Sequence, residues 1–284
     1  MLTIVDPHMS NIQSQISNIQ SALQAAYPAD EANALAWWIA EELTGLSRTE
    51  LQFGCKGTNF SSHMQEIETI IDRLLHFEPI QYIFGHTLWC GLDLKVTPAT
   101  LIPRPETAEL VDRITNNQLP ITNCRVLDIG TGSGCIAIAL KKAHPEWQVT
   151  GIDISPEAIE VARENARRNK VEIDFQVADI FSDGIGTFDI VVSNPPYICE
   201  HEKDSMRPNV LEYEPATALF VPDNDPLRFY RRIAELKLGK FLFFEINEAY
   251  PQELSDKLGE LGYTDIQITN DIYGKPRIIE GRMA

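Results

Sequence analysis

Two stretches of the chain gather residues whose types and spacing can do chemistry. The first, Val126-Leu127-Asp128-Ile129-Gly130-Thr131-Gly132-Ser133-Gly134, runs from an apolar segment through three alternating glycines. Glycines let backbone amides approach a ligand, and a loop of this kind at the carboxyl edge of an open α/β sheet is where such folds bind ligands. Asp153 closes the next apolar segment, placed to accept hydrogen bonds from two ribose hydroxyls. A dinucleotide fingerprint needs G-x-G-x-x-G; here the third glycine arrives one residue early, and Cys135 stands in its place. Asp128, two residues ahead of the first glycine, suits a cationic ligand such as an α-ammonium or sulfonium and would repel a pyrophosphate. A ligand-free turn is the alternative for the glycines alone, and the two acids argue against it.

The second stretch is Val192-Ser193-Asn194-Pro195-Pro196-Tyr197. Consecutive prolines fix φ and restrict the residue before them, so the backbone is held extended with its carbonyls stiffly aimed. The side-chain oxygen of Asn194 and the carbonyl of Pro195 can together accept both hydrogens of a planar –NH2 group. Tyr197 offers an aromatic wall for a flat acceptor. An Asx-Pro turn that merely closes a strand is the bland reading of the same residues.

Alternating elements must position these residues. From Cys124 onward the pattern predicts strands over 125–129, 148–152, 174–177, 188–193, 240–245, 265–269 and 277–280, with helices over 133–144 and 156–169, the latter opened by Ser155-Pro156. This alternation means a mainly parallel sheet with helices on both faces. Ahead of it, apolar residues at helical spacing predict a small bundle: Ile12, Ile16, Ile19 and Leu23, then Leu35, Trp38, Ile39 and Leu43, then Met64, Ile67, Ile71, Leu74 and Leu75. Asp30 is expected just before the second helix, and Ser47 with Glu50 forms a capping box for a short third one. The Trp37-Trp38 pair reads as bundle core. Between them, residues 88–96 read as a hairpin turning at Gly91.

The chain has 284 residues, 44% of them hydrophobic, which is enough for a large core and for two domains. Its formal net charge of −17 repels phosphate backbones and sets nucleic-acid binding at a disadvantage. Residues 1–85 hold three basic side chains (Arg48, Lys56, Arg73) against ten acidic ones, a face suited to a protein partner. The first basic residue is Arg48 and no apolar run approaches the ~18 residues that cross a bilayer, so a cytoplasmic protein without membrane association is expected. Cys55, Cys90, Cys124, Cys135 and Cys199 are odd in number and widely spaced, which argues against disulfides and structural zinc. The six histidines, His201 included, show no nucleophile or metal spacing, and no metal is expected.

The acid, G-x-G-x-G and second acid resemble the first motifs of class I S-adenosylmethionine-dependent methyltransferases. Ala178-Asp179-Ile180-Phe181 resembles the segment that covers the adenine there, with Asp179 accepting from its amino group and Ile180 and Phe181 as apolar cover. Asn-Pro-Pro-Tyr resembles the motif of enzymes that methylate planar exocyclic nitrogens, in adenine bases or glutamine side chains. Three further runs together look like the peptide chain release factor N5-glutamine methyltransferases: Leu101-Ile102-Pro103-Arg104-Pro105-Glu106-Thr107, Pro79-Ile80-Gln81-Tyr82-Ile83-Phe84-Gly85 and Asp271-Ile272-Tyr273-Gly274-Lys275-Pro276-Arg277.

That resemblance implies a seven-stranded Rossmann-like sheet, a helical substrate-recognition domain over 1–85, a hairpin linker over 86–108 and a methyltransferase domain over 109–284. It implies S-adenosylmethionine as cofactor, S-adenosylhomocysteine as product, and the glutamine of the Gly-Gly-Gln loop of bacterial class 1 release factors as acceptor, with the enzyme acting as a monomer. Donor-side residues are then Asp128, Gly130, Thr131, Gly132, Ser133, Gly134, Asp153, Asp179, Ile180, Phe181 and Asn194. Acceptor-side catalytic residues are Asn194, Pro195, Pro196 and Tyr197. Related ribosomal-protein glutamine methyltransferases share the acceptor motif, and adenine-N6 methylation of nucleic acid would need a basic track that the charge count lacks. A nucleoside sensor would have no use for an acceptor clamp. Ala108 and Asn247 depart from the family pattern; Glu109 is placed to serve for the first, and Asn tolerates left-handed φ at the second. Arg104 positions the donor loop or simply lies at the surface, and Glu214 braces the mouth or begins a helix.

Overall fold

The structure, a computed structural model, describes residues 7–53, 60–116, 123–182 and 184–284; Cys55 lies outside them. The chain forms two compact units, residues 1–84 and 85–284.

The first unit is helical: α1 (Pro7–Leu23), α2 (Ala29–Thr44), α3 (Arg48–Phe53), α4 (Met64–Leu75) and α5 (Ile80–Phe84). Ile12, Ile16, Ile19 and Leu23 bury one stripe of α1, and Ala32, Ala36, Ile39 and Ala40 do the same for α2. Small residues on α2 allow close helix approach, a stripe that a search for large apolar residues passes over. On α4 the buried stripe is Ile67, Ile70 and Leu74, while Met64 is exposed, correcting its expected place in the core. Asp30 is a first-turn residue, one helical position inside; the carbonyl of Pro28 accepts from Ala32 N at the true start. There its charge still favours the helix dipole. The Ser47 box is present, with Ser47 N donating to Glu50 Oε2 at 2.9 Å and Glu50 N to Ser47 Oγ at 3.3 Å. Trp37 and Trp38 are half-buried against the bundle core.

The second unit starts with a hairpin, β1 (His86–Trp89) and β2 (Leu92–Lys95), whose turn residues Cys90 and Gly91 both take positive φ. It continues with α6 (Pro105–Thr115), β3 (Arg125–Ile129), α7 (Cys135–Ala143), β4 (Gln148–Asp153), α8 (Pro156–Arg168), β5 (Asp174–Val177) and β6 (Ile190–Ser193). A short parallel pair follows, β7 (Ile198–Cys199) and β8 (Phe220–Val221), with α9 (Pro208–Tyr213) and α10 (Ala216–Leu219) between them. The chain closes with α11 (Arg228–Leu236), β9 (Phe241–Glu245), α12 (Pro251–Glu260), β10 (Tyr263–Asn270) and β11 (Pro276–Met283).

Seven strands form one sheet in the order β10-β11-β9-β6-β3-β4-β5, in which β11 alone runs antiparallel to the others. Successive residues of β3 feed two cores: Val126 packs with α6, α7, α8 and the hairpin, and Leu127 and Ile129 with α11 and α12. Strands buried on both faces read as unbroken apolar runs for this reason. The hairpin belongs to this unit, held by Asn165 of α8. Asn165 is fully buried; its Oδ1 accepts from Lys95 N at 2.7 Å, and its Nδ2 donates to Lys95 O and to Ser133 O in the glycine loop.

Gly151 on β4 is packed so tightly that an added Cβ would lie 2.6 Å from Phe175 Cε1 and 2.9 Å from Thr131 Oγ1. Gly151→Ala is expected to destabilise the protein by about 1–3 kcal/mol through overpacking, read as a lower Tm in calorimetry. An unchanged Tm would mean that Phe175 yields freely.

Candidate active site

Strand register brings the site together. Ile129 pairs with Ile152 and with Ser193, and Ser193 pairs with Phe244. The residues that follow, Asp153, Gly130, Asn194 and Glu245, therefore leave four adjacent strands at one carboxyl edge. Strand order diverges between β3 and β6, the switch point at which doubly wound sheets open a crevice. Ser193 Oγ donates to Ile129 O at 2.7 Å and locks the two strand ends together.

The crevice is a cavity of about 450 Å³. Of the expected donor-side residues, Gly130, Thr131, Gly132, Ser133, Asp153, Asp179, Ile180, Phe181 and Asn194 line it. Gly130, Gly132 and Gly134 alternate at φ of +70°, +54° and +80°, which accounts for a glycine at every second position. Gly134 sits below the lining, and a Cβ there would meet Ala162 Cβ at 3.1 Å. Helix α7 begins directly after it, so the early third glycine serves loop-to-helix packing.

Asp153 holds the loop, its Oδ2 accepting from Gly132 N and its Oδ1 from Ser155 N, each at 2.9 Å. Burial pushes its carboxyl above the usual range, against the pull of these amides. Asp179 accepts from Phe181 N at 2.9 Å, which turns the Phe181 ring into the cavity wall, where Arg228 lies 4.6 Å over it.

Asp128 does not line the cavity, contrary to its expected place facing the ligand. It is fully buried behind the loop, where Oδ2 accepts from Thr131 Oγ1 at 2.6 Å and from Ala137 N at 3.3 Å. Its Oδ1 and the Ser133 hydroxyl are buried without hydrogen-bond partners among the described residues. Burial pushes the Asp128 carboxyl up to about 7, with Asp153 adding to the rise. Once ionised, above about pH 7, an acid held this way presents negative potential just beneath the glycine loop, which favours a positively charged group bound above it.

On the acceptor side Asn194, Pro195 and Pro196 line the cavity. Tyr197 does not: it is turned into the core beneath, and its hydroxyl donates to Glu245 Oε1 at 3.1 Å. Burial beside Glu245 raises its phenol. Its expected part as a wall falls instead to apolar residues of other segments, Leu101, Pro103 and Phe220 among them. Asn194 Nδ2 donates to Thr107 Oγ1 at 3.3 Å, and Thr107 donates to Glu245 Oε2 at 2.7 Å.

Arg104 lines the cavity and donates to Glu214 Oε1 at 2.6 Å, while Glu214 Oε2 accepts from Ile102 N at 3.2 Å. The buried Glu214 thus braces the mouth, and Arg104 is part of that brace. Glu109 accepts from Ile272 N at 3.4 Å, so the acid beside Ala108 has a partner. Asn247 does not adopt left-handed φ; its Nδ2 donates to Tyr197 O at 3.0 Å and its Oδ1 accepts from Ala249 N, which shapes the turn by side-chain bonding.

His201 lies outside the cavity and pairs with Asp223 at 2.8 Å. Folding also brings Cys199 near this pair, all three donor atoms within 4.8 Å of one another. The Cys199 thiol is pushed up by burial and bonds to the Tyr250 hydroxyl at 3.6 Å, while His201 and Asp223 bond to each other.

A doubly wound sheet with a glycine loop and a facing Asn-Pro-Pro segment at its switch point defines a Rossmann-like methyltransferase, and residues 106–213 match the methyltransferase small domain. A solved methyltransferase from Pyrococcus furiosus shares the fold, with a TM-score of 0.50 at 19% identity over 74% of this chain and 96% of that one. Residues 16–85 match the PrmC N-terminal domain. A release factor glutamine methyltransferase of Bacteroides thetaiotaomicron is 47% identical over 92% of this chain and 96% of its own length. One from Flavobacterium psychrophilum is 40% identical over 95% and 98%. The chain belongs to the release factor glutamine methyltransferases.

Proposed function

We propose that the enzyme transfers a methyl group from S-adenosylmethionine to the side-chain amide nitrogen of the glutamine in the Gly-Gly-Gln segment of bacterial class 1 release factors. The observation that carries this reading is the Asn194 amide at the cavity wall, its nitrogen committed to Thr107 and its oxygen left to accept from an incoming –NH2. When bound, S-adenosylmethionine supplies a methyl already activated on a sulfonium.

The residues present fit that donor. Asp153 is placed for the ribose hydroxyls and Asp179 for the adenine amino group, with Ile180 and Phe181 as cover. Asp128 Oδ1 and the Ser133 hydroxyl, without hydrogen-bond partners at the glycine loop, suit a cationic amino-acid tail.

A glutamine amide is a poor nucleophile because its lone pair is delocalised into the carbonyl, so alignment is the protein's contribution. Asn194 Oδ1 and the Pro195 carbonyl accept the two amide hydrogens, fix the NH2 plane and stabilise positive charge growing on nitrogen. Such orientation supplies on the order of 7–11 kcal/mol. Pro196 keeps Pro195 extended, and Tyr197 anchors the segment from below.

The helical unit is the surface that recognises the release factor, in keeping with the excess of acidic residues in the first 85 positions. The enzyme acts as a cytoplasmic monomer without direct nucleic-acid contact. A net charge of −17 disfavours contact with a phosphate backbone, and no helix among the described residues is long and apolar enough to cross a membrane. Mass spectrometry of a bacterial class 1 release factor after incubation with enzyme and donor should locate one added methyl on the Gly-Gly-Gln glutamine. Label on another residue, or on ribosomal protein or nucleic acid instead, would replace the reading.

A further inference from the structure

Glu245 ends β9 one residue beyond the Phe244–Ser193 pair, which sets it beside Asn194 at the sheet edge. It is 1% exposed, and Thr107, in the first turn of α6, is 2% exposed. Glu245 Oε2 accepts the Thr107 hydroxyl at 2.7 Å, and Oε1 accepts that of Tyr197 at 3.1 Å. A threonine hydroxyl has one hydrogen; once it is given to a carboxylate, only lone pairs face the other way. Asn194 Nδ2 supplies the hydrogen they need, at 3.3 Å. With the amide turned over, its oxygen would face the buried Thr107 oxygen with no hydrogen between the two acceptors.

We propose that Glu245 is a positioning residue which, through Thr107, selects the one orientation of the Asn194 amide that leaves Oδ1 to accept from the substrate –NH2. The inference rests on the proposed glutamine methylation and names the groups that set its acceptor clamp. The same carboxylate pins Tyr197, so both ends of the Asn-Pro-Pro-Tyr segment answer to one side chain.

The relay runs in this sense only while Glu245 accepts. Facing it are Thr107 and Glu106 from α6, Tyr197 from the acceptor segment and Arg277 from β11, while Tyr230 of α11 bonds its main-chain oxygen. Burial raises its carboxyl, Glu106 adds to the rise, and the two hydroxyls and Arg277 oppose it. A proton on Oε2 lets Glu245 donate to Thr107 and Thr107 donate to Asn194 Oδ1, which inverts the amide. Turnover should therefore fall as pH falls through the raised pKa of Glu245.

The test uses the full chain carrying Thr107→Val, Thr107→Ser or Glu245→Gln. Three readouts are taken: thermal melts, calorimetric titration with S-adenosylhomocysteine, and labelled-methyl transfer to a release factor. Thr107→Val should lower kcat by about tenfold or more with S-adenosylhomocysteine affinity within about twofold, and Thr107→Ser should regain most of the loss. Glu245→Gln should lower kcat and abolish the acid limb of its pH profile. Wild-type turnover in Thr107→Val, joint loss of turnover and nucleoside binding, or a serine variant as impaired as the valine one would each overturn the relay. If Glu245→Gln fails to fold, the Thr107 pair decides alone. A wild-type enzyme that labels no glutamine would overturn the proposed activity and the relay with it, whereas labelling by wild type and by Thr107→Val alike overturns the relay only.

Discussion

Asn194→Ala is expected to bind S-adenosylhomocysteine within about twofold of wild type while lowering kcat for methyl transfer by about 10²–10³-fold, the usual cost of removing one preorganised transition-state partner. In the proposed function the donor's contacts are the glycine loop, Asp153 and the Asp179 segment, which line the cavity from strands other than β6. What alanine removes is the oxygen that fixes the plane of the acceptor amide and meets the charge developing on its nitrogen. Pro195 retains its carbonyl, so one of the two contacts survives and the loss is finite. Calorimetry beside a single-turnover labelling assay separates the two effects. Equal single-turnover rates for variant and wild type would take Asn194 out of the chemistry.

Asp128→Asn is expected to act in opposite directions on binding and on stability. In the folded protein burial disfavours the charged form and pushes the Asp128 carboxyl up to about 7, from an ordinary value of 3.8. The folded state therefore binds more protons than the unfolded state between those values, and stability falls as pH rises through that window, by about 4 kcal/mol at 1.36 kcal/mol per pKa unit. Asparagine keeps the acceptor for Thr131 and Ala137 and removes this dependence. Its NH2 lies where Oδ1 has no partner, which returns about 1–3 kcal/mol of the gain. Above pH 7.5 the variant should melt higher than wild type, and the pH dependence of Tm between 5 and 8 should flatten. S-adenosylmethionine should bind about tenfold more weakly or worse once the negative potential below the loop is gone. A variant melting lower than wild type at pH 8, with donor affinity intact, would show that Asp128 is an ordinary structural acid.

Both candidate segments are readable in the sequence because each is local. Glycines at every second position and a proline pair after an asparagine state their backbone geometry within a few residues. Contacts between segments were not readable. Thr107 and Glu245 are 138 positions apart and Arg104 and Glu214 are 110 apart; the register of β6 and β9 sets Glu245 beside Asn194, and Thr107 and Arg104 reach the same edge from the start of α6. Glu245 stood in plain view at the end of an apolar strand, but a single acid there carries no periodicity to mark it. The sequence does not tell which way Asp128 faces, since alternation in a strand buried on both faces does not mark the side of the cavity. Tyr197 misled for a similar reason: an aromatic after two prolines resembles a wall, and its hydroxyl finds a buried carboxylate instead. In the bundle, alanines on α2 fill the stripe that larger residues were expected to fill, and Met64 has the hydropathy of a core residue without its position.

The place of β11 bears on how the enzyme is born. Although made after β10, it inserts between β10 and β9, so the flank of β9 stays open while a ribosome is still extending the chain toward residues 276–283. Until that insertion the strand carrying Glu245 is a bare edge, prone to pair with a neighbouring nascent chain. Arg277, which opposes the proton on that acid, arrives with the same strand. A chain ending before β11 is therefore expected to lack both the cover of β9 and the Arg277 guanidinium beside Glu245.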